Sequence, residues 1–280
     1  MLRSPAPWTL DGPLLLVGGG KMGSALLSGW LDAGLNPGDA VVLDPFPSPG
    51  CLALCCDRAI HLAASIERMT GATPCVIVMA VKPQVMAGVF PAIATLAGPG
   101  TVTLSIAAGK TIASFAALLP AGAAIVRAMP NTPAAVRRGM TVLCANSHVT
   151  ARQGRLCEDL MAAVGEVGWI EDEALMDAVT AVSGSGPAYV FHLVEAMAAA
   201  GVTAGLTPEL AMQLARVTVA GSGELLHQSD VQAGVLRQNV TSPGGTTAAA
   251  LSVLMAGDGL SALLTRAVAA AVARGRDLAK

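Results

Sequence analysis

The stretch PLLLVGGGKMGSALLSGWLDAG, residues 13–34, constrains the fold more than any other. A short continuous apolar run that ends in glycines reads as a strand buried within a parallel sheet. The residues that follow, KMGSALLSGWLDAG, have helical spacing and stop at Gly34. The same alternation recurs. DAVVLDP (39–45), TPCVIVMAVKP (73–83), GTVTLSIAAG (100–109) and AAIVRAMP (123–130) read as further strands, with helical segments between most of them. Strand–helix–strand repetition predicts an α/β fold whose N-terminal part is a Rossmann-type doubly wound parallel sheet.

The second half changes character. From about Glu171 strands disappear and helical patterns take over. TPELAMQLARVTVAGSGELL (207–226) begins with a Thr at the N-cap and a Pro at the first helical position. These helices carry Ala and Gly where most bundles carry Leu, so they pack closely. A small helical block of this kind gains burial by pairing with a second copy. The expected organisation is an N-terminal extension over 1–13, a dinucleotide-binding domain over 14–170, and an all-helical dimerisation and substrate domain over 171–280.

Composition narrows the function. The 280 residues are 53% hydrophobic and only 13% charged, with a net charge of −2, which excludes a polyanion-binding surface and with it a nucleic-acid partner. The mean hydropathy of +0.61 raises the question of a membrane span. The longest uncharged run, Pro83 to Gly109, is broken by Pro91, Pro99 and several glycines, whereas a span needs about 20 unbroken apolar residues. MLRSPAPWTLDGP lacks a signal-peptide core and cleavage site, and is expected to be a disordered or loosely docked extension. The six cysteines show no metal-ligand spacing, and no metal is expected; CLALCC (51–56) has no His partner. Reduced thiols in a cytoplasmic protein are the expectation.

VGGGKMG (17–23) places Gly18, Gly20 and Gly23 in G-x-G-x-x-G spacing, after a strand and at the opening of a helix. Gly18 permits the tight turn, Gly20 lets a pyrophosphate approach the backbone, and Gly23 lets helix and strand pack closely. The helix start, with Lys21 and Met22, supplies amide donors to the anion. Asp44, about 20 residues on, stands where an acid bonds the ribose 2′-hydroxyl of NAD, and it would repel a 2′-phosphate. Ser48 offers a hydroxyl to such a phosphate, so NADH and NADPH both stay open.

NVTSPGGTTAAALSVL (239–254) is the second informative stretch. Pro243, Gly244 and Gly245 turn the chain into a helix, and Gly244, Gly245 and Thr246 are expected to present unclaimed N–H groups suited to a carboxylate. Ser242, Thr246 and Thr247 add hydroxyls. VSGSGPAYVFHLVEAM (182–197) brings Ser183 and Ser185 with no base at convincing spacing, so SGSGP reads as a backbone kink that shapes a pocket, not as a nucleophile. His192, on the same helix, reads as structural. In MPNTPAAVRRGM (129–140) two prolines stiffen the turn after a strand, and Arg137 and Arg138 read as surface or interface charges.

VGGGKMG, AVKPQ, SIAAG, RAMPNTPAAVRRGMT, VSGSGPAYVF and SPGGTT occur here in order, and together they resemble pyrroline-5-carboxylate reductase from about Leu14 to the C-terminus. The resemblance implies reduction of 1-pyrroline-5-carboxylate to L-proline, the last step of proline biosynthesis, with NADPH or NADH. It implies a helical domain interlocked with its twin, and an active site between one subunit's nicotinamide and helices from both. Carried over by position, Ser242, Gly244, Gly245 and Thr246 would bind the substrate carboxylate. Thr247 would hydrogen-bond the ring nitrogen and Val240 would pack on the ring. Ala80, Lys82, Pro83 and Asn131 would line the cofactor pocket, with the stiff MPNTP turn fixed against it. Gln238 and Asp230 stand where the family often has acids. Two other readings remain at this point. One is another imine or 3-hydroxyacid dehydrogenase of similar build, which would call for a lysine in a half whose only one is Lys280. The other is a non-catalytic dinucleotide-binding regulator, which would not need SPGGTT.

Overall fold

The computed structural model describes Trp8, Leu10, residues 11–68 and residues 73–278. Most of the expected N-terminal extension, residues 1–7 and 9, lies outside the described residues. The strands are β1 (Leu14–Val17), β2 (Ala40–Leu43), β3 (His61–Ala63), β4 (Val76–Met79), β5 (Val102–Ser105), β6 (Ala124–Met129), β7 (Gly139–Ala145) and β8 (Gly165–Trp169). The helices of the same half are α1 (Lys21–Asp32), α2 (Pro49–Asp57), α3 (Met86–Ala94), α4 (Ile112–Ala116), α5 (Ala151–Ala162) and α6 (Met176–Val179).

The strands form one sheet in the order β3-β2-β1-β4-β5-β6-β7-β8. The first six follow the Rossmann order and run parallel. Alternate residues of β1 and β4 feed opposite faces, as the strand period of two requires. Leu14, Leu16, Val76 and Val78 join Leu26, Leu27 and Trp30 of α1 in one core. Leu15, Val17, Ile77 and Met79 join Phe90 and Phe115 in the other. The two phenylalanine rings stack at 5.5 Å, and the buried Trp30 Nε1 donates to the Leu160 oxygen at 2.8 Å.

The sheet is not wholly parallel. β7 runs antiparallel to β6, and β8 runs parallel to β7. The connection from β6 to β7 is the 3₁₀ turn Thr132–Val136 with its flanking residues, too short for the crossover a parallel neighbour needs. β3, β7 and β8 are additional to the five strands expected from the sequence. The first is three residues long, and the last is GEVGW with no clear alternation.

The chain divides into two compact units. The first runs through Gly184 and includes the residues from Arg274 onward; the second spans Ser185–Ala273. The sequence-based boundary at residue 171 falls earlier because the segment after it packs on the sheet. Glu173 pairs with Arg127 of β6 at 2.7 Å and accepts from the Ile112 amide at 2.9 Å, while Met176 and Ala181 are buried. At the other end of this unit, Trp8 and Leu10 pack against the core, and Trp8 Nε1 donates to the Ala33 oxygen at 3.0 Å. The part of the extension that is described is therefore docked, not loose.

The second unit is built from α7 (Gly186–Thr203), α8 (Pro208–Gln228), α9 (Ala233–Asn239), α10 (Thr246–Leu254) and α11, which spans Leu260–Leu278 and so ends among residues of the first unit. Thr207 caps α8 by accepting from the Leu210 amide, as its sequence predicts. Among its described residues only Ala198, Ala211 and Ala215 are buried hydrophobics.

Candidate active site

Val17 lies opposite Leu43 on one side and Met79 on the other, so β1, β2 and β4 end level. That register brings Gly18, Asp44 and Ala80 to one edge of the sheet, at the point where strand order reverses. Gly18 has φ +108°, and a Cβ on it would lie 2.8 Å from the Ala80 carbonyl. A Cβ on Gly23 would lie 2.1 Å from the Gly18 oxygen, a contact no side chain survives. Around Gly20, by contrast, nothing lies within 4 Å of such an atom. α1 starts there with no side-chain cap and no acid in its first turn, so the amides at Lys21, Met22 and Gly23 face outward unclaimed by a cap. The loop is closed by its neighbours and open toward a ligand, which fits the pyrophosphate of a dinucleotide.

Asp44 and Ser48 clasp this loop from the β2 side. Asp44 Oδ2 accepts from the Gly19 amide at 2.6 Å and Oδ1 from the Phe46 amide at 2.8 Å. Ser48 caps α2, accepting from the Cys51 amide at 3.2 Å, and its hydroxyl donates to the Gly19 oxygen at 2.7 Å. Gly19 is a variable position of the G-x-G-x-x-G pattern, yet a Cβ there would meet Cys51 Sγ at 2.6 Å. Cys51 is buried beneath it beside Cys55, whose thiol burial pushes up to about 12, with Cys51 adding to the effect. Lys82 is exposed after β4, its carbonyl accepting from the Val85 amide at 3.1 Å, and Pro83 opens the 3₁₀ turn there.

Asn131 joins two of the motifs. Its Nδ2 donates to the Ser183 oxygen and to Ser183 Oγ, each at 3.2 Å, and its Oδ1 accepts from the Met140 amide at 2.9 Å. Its side-chain amide therefore ties the MPNTP turn to SGSGP and to β7. The expected kink at SGSGP is a π-helical segment, Thr180–Gly184, a local widening of the helix that recurs at functional sites. Gly184 sits against Met129 at the end of β6, where a Cβ would come within 2.5 Å of the Met129 methyl. Arg137 pairs with Asp32 on the surface, from a left-handed backbone at φ +57°. His192 is exposed and meets Glu195 at 3.2 Å.

In the second unit the SPGGTT turn precedes α10. Gly244 has φ +71°, the left-handed conformation that favours glycine. The Gly245 amide donates to the Ser242 oxygen at 3.0 Å, so it is spent on closing the turn and is not one of the open donors. The first intrahelical bond is from Ala249 to the Gly245 oxygen, which leaves the amides of Thr246, Thr247 and Ala248 in the uncapped first turn. The hydroxyls of Ser242, Thr246 and Thr247 have no hydrogen-bond partner among the described residues. Val240, at the end of α9, is 66% exposed.

A family profile described as pyrroline-5-carboxylate reductase dimerisation matches residues 173–278. The pyrroline-5-carboxylate reductase of Pseudomonas aeruginosa is 40% identical over 268 residues, covering 95% of this chain and 97% of its own length. That of Mycobacterium leprae is 41% identical, covering 95% and 96%. The chain belongs to the pyrroline-5-carboxylate reductase family. Among solved members of that family, the Coxiella burnetii structure superposes with a TM-score of 0.88 at 36% identity, covering 96% of this chain and 99% of the other. The Plasmodium falciparum structure with NADP bound superposes with a TM-score of 0.81 at 30% identity, covering 98% and 100%. The dimerisation profile falls on the helices whose own packing buries so little. Phe191 is 63% and Val217 66% exposed, and Leu193, Leu214, Leu225 and Leu263 are exposed with them. Exposed apolar side chains on the helices that match a dimerisation profile accord with self-association.

Proposed function

We propose that the chain reduces 1-pyrroline-5-carboxylate to L-proline at the expense of NAD(P)H, with the first unit holding the dinucleotide and the helical unit gripping the substrate. The observation that carries this is the SPGGTT turn, where three unclaimed amides and three unpartnered hydroxyls gather at one uncapped helix start. That donor set, with the positive end of the helix dipole behind it, suits a small carboxylate. Ser242, Gly244, Gly245 and Thr246 form the grip, Gly245 by shaping the turn. Val240 offers an apolar wall to the ring. Thr247 Oγ1 accepts from the protonated ring nitrogen, which holds the substrate as the iminium, the form that takes up electrons readily.

Gly18, Gly20, Lys21, Met22 and Gly23 would hold the pyrophosphate, with Asp44 and Ser48 toward the ribose and Ala80, Lys82 and Pro83 along the next strand end. Bound NAD(P)H supplies the hydride that saturates the C=N bond. Asn131 serves by fixing the MPNTP turn rather than by offering its side chain to a ligand. Fixing the substrate carboxylate removes positional freedom from the reaction and is worth several kcal/mol of barrier, roughly. A cytoplasmic setting belongs to the same reading, supported by six cysteines that are all free thiols. Among the described residues no helix is long and apolar enough to cross a membrane.

The test is optical. Loss of reduced-nicotinamide absorbance on adding 1-pyrroline-5-carboxylate, with L-proline recovered as product, is the expected result. Absence of substrate-dependent oxidation with both NADH and NADPH would overturn the reading.

A further inference from the structure

The turn DPFPSPGC, residues 44–51, is where the ribose of a dinucleotide bound at Gly18–Gly23 would lie, beyond the end of β2. A 2′-phosphate at that ribose needs cations or N–H and O–H donors, whereas a 2′-hydroxyl needs an acceptor. The turn can be counted donor by donor. Pro45, Pro47 and Pro49 have no N–H. The Asp44 amide donates to the Ala63 oxygen, Phe46 to Asp44, Ser48 to the Gly19 oxygen, and Cys51 to Ser48 Oγ. Only the Gly50 amide is left. The single proton of the Ser48 hydroxyl goes to the Gly19 oxygen at 2.7 Å. Ser24 Oγ, 3.3 Å from Ser48 Oγ, donates to the Gly20 oxygen at 2.8 Å.

Charge points the same way. Residues 44–57 contain no Lys or Arg, and the first cation after them, Arg58, pairs with Asp32 at 3.5 Å. Against this depleted donor set stands the Asp44 carboxylate, held in place by the Gly19 and Phe46 amides. Each carboxylate oxygen has a second lone pair, so Asp44 can still accept a bond from a ribose hydroxyl.

We infer that this chain selects NADH over NADPH, with Asp44 as the discriminating residue and Ser48 a loop clasp rather than a phosphate donor. The inference rests on reading Gly18–Gly23 as a dinucleotide loop. A 2′-phosphate brought to Asp44 meets a like charge with no cation from residues 44–57 and a single open amide, that of Gly50, to offset it, which separates the two affinities by about tenfold or more.

Direct binding tests this without turnover. Dissociation constants for NADH and NADPH are measured by fluorescence titration of the full chain, with no substrate present. NADH is expected to bind at least about tenfold more tightly. Asp44→Ser removes the charge and should shift the ratio toward NADPH. Because Asp44 also holds Gly19, a second variant leaves it untouched: Phe46→Arg. Phe46 is 89% exposed, and its substitution adds a cation beside the ribose without entering the hydrogen-bonded clasp. It should tighten NADPH severalfold and leave NADH within about twofold. NADPH binding as tight as NADH in the unaltered chain, or a ratio that neither variant moves, overturns the inference. Binding of neither nucleotide would overturn the dinucleotide loop itself, and this inference with it.

Discussion

Asn131 and Ser183 stand 52 positions apart in the chain, yet one side-chain amide of the first holds both the main-chain oxygen and the hydroxyl of the second at 3.2 Å. The turn after β6 and the π-helical segment before α7 are thereby one structural feature. Asn131→Ala removes these bonds and the one to the Met140 amide. We expect a stability loss of about 1–2 kcal/mol in thermal unfolding. The Michaelis constant for the nucleotide should rise more than kcat falls. Equal Tm and unchanged constants would deny the tie any role.

Thr247 carries the sharpest catalytic prediction. Its hydroxyl has no partner among the described residues, and in the proposed reading it takes the substrate ring nitrogen. Thr247→Val keeps the shape and removes the hydrogen bond. Turnover should fall by roughly tenfold or more, the loss of one hydrogen bond to a charged group. Steady-state kinetics at saturating substrate decide it, and an unchanged kcat removes Thr247 from the mechanism.

Gly23 tests the proposed nucleotide loop. A Cβ there would sit 2.1 Å from the Gly18 oxygen, a backbone atom with no freedom to swing aside. Gly23→Ala must push α1 away from β1, and nucleotide affinity should drop by at least about tenfold, since the amides no longer converge. Fluorescence titration reads this directly; native affinity would show that the loop tolerates the shift.

Self-association is tested at Phe191, 63% exposed on a helix whose unit buries only alanines. Phe191→Asp puts a charge among the exposed apolar side chains of the helices that match the dimerisation profile, and sedimentation should show a shift toward monomer with activity falling in step. A monomer that keeps full activity would contradict an active site that needs two copies.

Thiol chemistry follows burial. The Cys55 thiol is pushed up to about 12 from an ordinary value of 9.0, chiefly by burial, and burial also raises Cys144 and Cys157. Only the thiolate attacks an alkylating reagent, so at pH 8 these three should stay unmodified while exposed Cys56 reacts first. Peptide mass spectrometry checks the order. The raised values have a second consequence. Above pH 9 the unfolded chain releases protons that the folded chain keeps, so stability is full below that point and falls as pH rises toward 12. Chemical denaturation across pH 8–10.5 should show that decline.

Local signals made much of this protein legible. The apolar runs at 13–19 and 73–83 have no polar alternation, because strands covered on both faces need none, and that feature implied a parallel sheet. The glycine spacing at 18, 20 and 23, and the turn at 242–245, could be read because each is a demand the backbone makes on one residue. What stayed hidden depended on partners distant in sequence. GEVGW becomes a strand only because Gly139–Leu143 lies beside it, and the direction of β7 follows from how the chain turns after Met129.

By itself, then, the sequence determined the kinds of element, the glycine-rich turn that opens α1, and the turn at 242–245 proposed to take a carboxylate, since these arise from periodicity and from residues that only certain backbone shapes accept. The tertiary structure alone decided that Glu173 packs against the sheet through Arg127, that Asn131 braces Ser183, and that Ser48 has already given away its proton. A hydrogen bond or an ion pair is a property of two groups, and no single position in a chain records where its partner will be.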